Sequence, residues 1–137
     1  MKMVILVCTL ALASSHALAE NLKGAKKLLC STSRITACFE DGECLNVLPS
    51  EANVPQFIVV DTKKRTLSTT KSSSENRATA ISTLLREDGL IIIQGIEQGR
   101  AFSYVIDEAT GVATASVARD GITVAVFGAC TGADLRF

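Results

Sequence analysis

Four thiols, at Cys30, Cys38, Cys44 and Cys130, are the residues of this sequence whose chemistry depends most on where the chain goes. A thiol can act as nucleophile, metal ligand or half of a disulfide, and compartment and spacing decide which. Met1-Lys2, the apolar run from Met3 to Leu12, and Ala17-Leu18-Ala19 before Glu20 have the three parts of a secretory signal peptide. We therefore expect residues 1–19 to be removed, taking Cys8 with them, and the remaining four cysteines to meet an oxidising compartment. Asp41-Gly42 lies midway between Cys38 and Cys44, and a three-residue loop Glu40-Asp41-Gly42 sets these two cysteines across a hairpin. Cys38 with Cys44 is thus the expected pair, leaving Cys30 with Cys130 to tie the first strand to the last. A zinc site is the rival use of four cysteines; neither spacing nor compartment favours it.

Other chemistries are thinly represented. The single histidine, His16, leaves with the signal peptide, which removes Ser-His and Cys-His nucleophiles and histidine metal sites together. No P-loop or dinucleotide fingerprint is present, since Gly95 and Gly99 flank a hairpin and lack a following helix. The acidic pairs Glu97 with Asp107 and Asp61 with Glu108 fall at expected turns, where capping is the simpler role. We expect no catalytic residue, cofactor or metal site. Six aromatic residues without a tryptophan give no stacking platform, so no nucleic-acid partner is expected either.

Two groups remain as binding candidates. Arg100, Phe102 and Tyr104 share one face of a strand and, with Gln94, can form the mouth of a cavity. Lys63, Lys64 and Arg65 are the one dense basic cluster; a solvated hairpin tip explains it, and contact with an acidic partner is the functional alternative.

The elements that position these residues are strands. The whole chain carries 14 basic and 14 acidic residues, and loss of Lys2 leaves the rest at 13 against 14, so no global field selects a nucleic acid or a membrane surface. Residues 20–137 suffice for one small domain, and no later stretch has the ~18 uninterrupted apolar residues of a transmembrane helix. From Leu90 to Cys130 the turns predict a four-strand meander. Asp120-Gly121 suits a two-residue hairpin with Arg119 opposite Ile122. Glu97-Gln98-Gly99 fits a three-residue loop with Ile96 opposite Arg100, and Glu108-Ala109-Thr110-Gly111 sets Asp107 opposite Val112. One face then collects Leu90, Ile92, Phe102, Tyr104, Ile106, Ala113, Ala115, Val117, Val124, Val126 and Gly128, and the other Ser103, Thr114, Ser116 and Thr123. Ile91, Ile93, Val105 and Phe127 are misplaced on that polar face.

Upstream, Asn21 to Lys27 reads as a solvated end and Leu28 to Phe39 as strand, with Cys44 to Val47 as its return. Pro49 and Pro55 bracket a loop with one helical turn. Phe57 to Asp61 and Thr66 to Thr70 form a hairpin, followed by the loop Lys71 to Asn76. Arg77 to Leu85 pairs with Leu90 to Ile96 through Asp88-Gly89, placing Ile81 and Leu85 on the apolar face. The fold class is all-β: an antiparallel up-and-down meander of about eight strands in a small disulfide-stapled barrel or strongly coiled sheet, with a two-sheet β-sandwich as the alternative. Gly95, Ala113, Ala115 and Gly128 either leave a pocket or make room for Phe102 and Tyr104, and we take the packed interior.

Cys38 and Cys44, Pro55-Gln56-Phe57 leading into Val60-Asp61, Gln94-Gly95 with Gly99-Arg100, Thr110-Gly111 and the ending Phe127-Gly128-Ala129-Cys130-Thr131 carry a resemblance over most of the domain. In these residues the chain resembles a group of small exported, periplasmic proteobacterial proteins, uncharacterised in activity. In strand architecture alone it is similar to the calycins; the Gly-x-Trp motif of lipocalins is absent, so their ligand binding is not carried over. The expectation is a periplasmic or secreted, non-catalytic binding protein, holding a small apolar ligand in a β-barrel. The alternative is a protein-recognition module such as an inhibitor of a secreted hydrolase, presenting residues 62–65 or 71–76.

Overall fold

The computed structural model describes residues 21–133; the expected signal peptide lies outside that range. Ten strands follow one another: β1 (Lys27–Phe39), β2 (Cys44–Val47), β3 (Phe57–Asp61), β4 (Thr66–Thr69), β5 (Ala78–Ala80), β6 (Thr83–Glu87), β7 (Leu90–Glu97), β8 (Arg100–Asp107), β9 (Val112–Arg119) and β10 (Ile122–Gly132). All pairings are antiparallel and form one sheet, in the order β5-β4-β3-β1-β10-β9-β8-β7-β6, with β2 on the far half of β1. Among the described residues there is no helix, and so none long and apolar enough to cross a membrane.

Curling follows from the two edge strands being neighbours in sequence. Only Ile81-Ser82 separates β5 from β6; the Ile81 N–H donates to the Arg65 carbonyl before β4, and the Ser82 N–H to the Gln94 carbonyl on β7, both at 2.9 Å. One bent segment thus bonds first to one edge of the sheet and then to the other, which gives a strongly curled, barrel-like sheet instead of a two-layer sandwich. It also splits the single expected strand Arg77 to Leu85 in two.

The turns are built largely as their residues dictate. Asp61 and Asp107 each open a four-residue turn, their Oδ1 atoms accepting the N–H groups of Lys63 (3.1 Å) and Lys64 (2.8 Å), and of Ala109 (2.9 Å) and Thr110 (2.8 Å). The turns close on residues with positive φ, Arg65 at 55° and Gly111 at 74°. Arg119 faces Ile122 across Asp120-Gly121, as expected.

One register differs. Gln98 (φ 49°) and Gly99 (φ 74°) form a two-residue turn, so Glu97, not Ile96, faces Arg100. A slip of one residue turns a whole strand over. Ile91 and Ile93 therefore point inward and are fully buried, whereas Leu90 and Ile92 face outward and Ile96 is 71% exposed. The same correction carries through the Asp88-Gly89 turn: Leu85, opposite Ile92, is exposed, and Leu84, opposite Ile93, packs on the core. Ile91 and Ile93 thus belong to the core enclosed by the sheet itself. Of the other two misplaced apolar residues, Val105 is partly exposed and the Phe127 ring lies 4.9 Å beneath the Arg34 guanidinium. The outer face is mixed, with Thr114, Ser116 and Thr123 exposed beside Leu85, Ile96, Val105 and Val112.

Both disulfides pair as expected, and each joins residues directly opposite in register: Cys30 with Cys130 on β1 and β10, Cys38 with Cys44 on β1 and β2. The first bridge lies inside the larger core with Leu28, Val60, Ile91, Ile93, Phe102 and Ile106. Leu22 closes that end. It is fully buried, although the segment around it reads as solvated; its N–H donates to the Glu108 carbonyl, and Arg86, ion-paired to Glu108 at 2.7 Å, reaches the carbonyls of Leu22 and Ala25.

Small residues sit where backbones approach. A Cβ on Gly95 would lie 2.5 Å from Cζ of Phe102, so this glycine makes room for the ring. A Cβ on Gly128 would strike the Ser31 carbonyl, beside the bulge between Thr32 and Arg34 where β1 takes one extra residue.

Candidate functional site

The end of the sheet opposite Leu22 is packed differently. Its core is made of smaller side chains, Ile35, Ala37, Ala115, Val124 and Val126, and sheet residues alone do not fill it. The proline-bracketed loop 48–56 folds inward over this end and contributes Ala52 and Val54. Backbone bonds shape the loop: Ala52 N–H to Leu48 O at 3.2 Å and Val54 N–H to Pro49 O at 2.9 Å make a single turn, and Glu51 caps it by accepting the Leu48 N–H at 2.6 Å. The Thr32 N–H to Gln56 O and the Thr32 hydroxyl to Pro55 O fix its exit to β1.

Three charged side chains pin the loop. Glu97, turned inward by the register above, accepts from Arg77 Nε (3.2 Å) and the Thr79 hydroxyl (2.9 Å) on Oε1, and from Arg77 Nη2 (2.7 Å) and Arg100 Nη2 (2.8 Å) on Oε2. Both arginines then donate through Nη1 to the Asn53 carbonyl, Arg100 at 3.1 Å and Arg77 at 3.2 Å. Arg77 also meets Glu75 at 3.3 Å on the rim. Arg100 is only 8% exposed, so its guanidinium is held by these bonds and not by water.

Burial pulls the Glu97 carboxyl upward, but hydrogen bonds from Arg77 and Thr79 and the two guanidinium charges outweigh it, leaving it below its ordinary 4.5. A carboxyl depressed on folding stabilises the fold above its unfolded value, and this contribution is lost as pH falls through the folded one. Wild type therefore loses more stability than Glu97→Gln on acidification below about pH 4.5, as urea midpoints across that window will show. At pH 7 the same substitution removes about 1–3 kcal/mol, because two guanidiniums lose their shared acceptor; equal stability at both pH values in the two proteins would refute the latch. Tyr104 is driven the other way, by burial first and then by the Glu97 charge, and ionises above its ordinary 10.0. Its hydroxyl stays neutral at any physiological pH.

Two hollows under this end border Arg100. The smaller, about 50 Å³, is lined by Ile58, Leu67, Phe102, Tyr104 and Val117 below the Arg77–Glu97–Arg100 cluster. Phe102 meets Tyr104 edge-on there, ring centroids 5.9 Å apart. The larger, 170 Å³, has a floor of Ala37, Val47, Ala52, Val54, Val117 and Val124, with Glu51, Arg100 and Arg119 also lining it. Val54, Val117 and Arg100 border both. An apolar cavity of roughly 150 Å³ accepts benzene, so the larger hollow is the one of ligand size.

Of the candidates read from the sequence, Arg100, Phe102 and Tyr104 converge here. Gln94 does not: the two-residue turn places it opposite Ser103 on the outer face, exposed. Lys63, Lys64 and Arg65 are exposed at the opposite end of the sheet, beside β1's first residue. Arg77, Asn53, Thr79 and Val54 were not legible as site residues, and Glu97 only as a turn carboxylate. The signal that was present is Ala52 and Val54 between two prolines, apolar residues in a loop otherwise polar. No protein-family model, curated protein or solved structure matches the chain.

Proposed function

We propose that this chain is a non-catalytic binding protein of an exported compartment, periplasmic or secreted, that holds a small, mainly apolar ligand within its curled sheet beneath the 48–56 loop. The observation that carries this reading is the 170 Å³ hollow with an apolar floor in a domain whose other end is packed around a disulfide. A sheet packed for stability alone gains by filling such a space, since cavity volume is destabilising. The two disulfides suit an oxidising compartment.

Native mass spectrometry of the protein purified gently from its own compartment, compared with a denatured, non-reduced sample, is expected to show an added mass that denaturation releases. Ala52→Phe, which fills the hollow from the loop side, is expected to abolish that mass and leave both disulfides intact. A bound mass that Ala52→Phe does not remove would place the ligand elsewhere and overturn the reading. A clean mass in both proteins would favour the second reading, a protein-recognition module, which the wholly exposed loop 71–76 supports.

A further inference from the structure

Arg100, the one charged side chain that borders both hollows, bears on which chemical class the cavity takes. Arg100 offers five N–H groups. One on Nη1 goes to Asn53 O and one on Nη2 to Glu97; Nε bonds no described residue. Among the described residues no buried side-chain nitrogen or oxygen is left without a partner, so Nε keeps access to the space around it. The carboxylate that holds Arg100 is shared with Arg77, which takes two of its four bonds. Of the other charged groups on the larger hollow, Arg119 is exposed, and Glu51 is committed to the Leu48 N–H. A guanidinium nine-tenths buried, with donors unfilled beside an apolar floor, is complementary to a planar oxyanion carried on an apolar body.

We infer that the ligand is a small carboxylate with an aromatic or branched aliphatic body, its carboxylate on Arg100 and its body against Ala37, Val54, Val117 and Val124. This inference rests on the cavity reading above and adds the head group. The hollow's volume limits the body to about the size of a benzene ring. Binding is non-covalent, with no bond made or broken.

Three probes of one size separate the possibilities: benzoate, toluene and benzylammonium, each titrated at pH 7 into the ¹⁵N-labelled protein and followed by amide shifts. Benzoate is expected to bind about ten-fold or more tightly than either other probe, shifting the amides of Ala37, Val54 and Val117. Arg100→Lys, which keeps the charge and loses the fork, is expected to erase most of that preference and leave toluene binding in place. Because Arg100→Lys also loosens Asn53, the ranking of the three probes on the wild-type protein is the primary readout. Toluene binding as tightly as benzoate overturns the carboxylate assignment and leaves the cavity reading standing. Shifts by no probe at those amides, or benzoate shifts confined to residues 62–65, overturn both.

Discussion

Replacing Cys30 and Cys130 together by alanine is expected to remove about 4–5 kcal/mol of stability, against about 2 kcal/mol for Cys38 with Cys44. The difference lies in the unfolded chain. The first bridge spans a sequence separation of 100 and the second a separation of 6, and the loop-closure entropy removed from the unfolded ensemble grows with the logarithm of that span. Burial adds to the first effect: Cys30 and Cys130 are 5% and 8% exposed within the larger core, whereas Cys44 is exposed at the surface. The bridge also sits on the β1–β10 pairing, which joins the two ends of the described chain and which no short turn maintains. Single domains have only about 5–15 kcal/mol of net stability, so the Cys30/Cys130 variant should lie near its unfolding midpoint at 37 °C. Urea unfolding of the two double variants tests this; equal losses would show that span is not what the bridge contributes.

Gly111→Ala carries the second large effect. Gly111 closes the β8–β9 turn at φ 74°, a conformation that strains alanine by about 1–2 kcal/mol. The added Cβ would also collide with the carbonyl oxygen of Cys130, backbone that cannot swing aside because the Cys130 N–H donates to the Gly111 carbonyl at 2.7 Å. We expect a total loss of about 3 kcal/mol or more. Gly121→Ala is the matched control: φ is 72°, but its Cβ would meet only the tip of Glu40 at 3.5 Å, so only the conformational strain of about 1–2 kcal/mol applies. Urea midpoints of the two variants should differ clearly. If Gly111→Ala costs no more than Gly121→Ala, the close approach to Cys130 is not a constraint.

The latch and the hollow place opposite demands on this end of the sheet. Arg100 and Arg77 tie down the Asn53 carbonyl, yet the loop they hold covers a space that close packing would have filled. Asn53 itself has φ 52°, a left-handed conformation that asparagine tolerates. The loop is held by these side chains, one turn and the Thr32 bonds at its exit, and not by a ladder of strand bonds.

Strand character, five of the hairpin turns, both disulfide pairings and the facing of β8, β9 and β10 were legible in the sequence. These are local properties: Asp120-Gly121 and Asp88-Gly89 accept positive φ wherever they occur, and alternation over eight residues needs no knowledge of a partner. The β7–β8 register was not legible in the sequence, because it rests on contacts between distant parts of the chain. Gly99 serves a two-residue or a three-residue turn equally well, and what selects the shorter one is distant: Ile91 and Ile93 reaching the core, Phe102 lying over Gly95, and Glu97 meeting Arg77, 20 residues earlier in the chain. The candidate site follows from that same choice. With the longer turn Ile96 would face Arg100 and Gln94 would point inward; with the shorter one Glu97 turns in, gathers two guanidiniums and holds a loop whose inward fold no local signal specifies. Turn conformations are encoded residue by residue, whereas a charged cluster drawn from the segment entering β5, from β7 and β8 and from a loop exists only once the sheet has curled and brought its edges together.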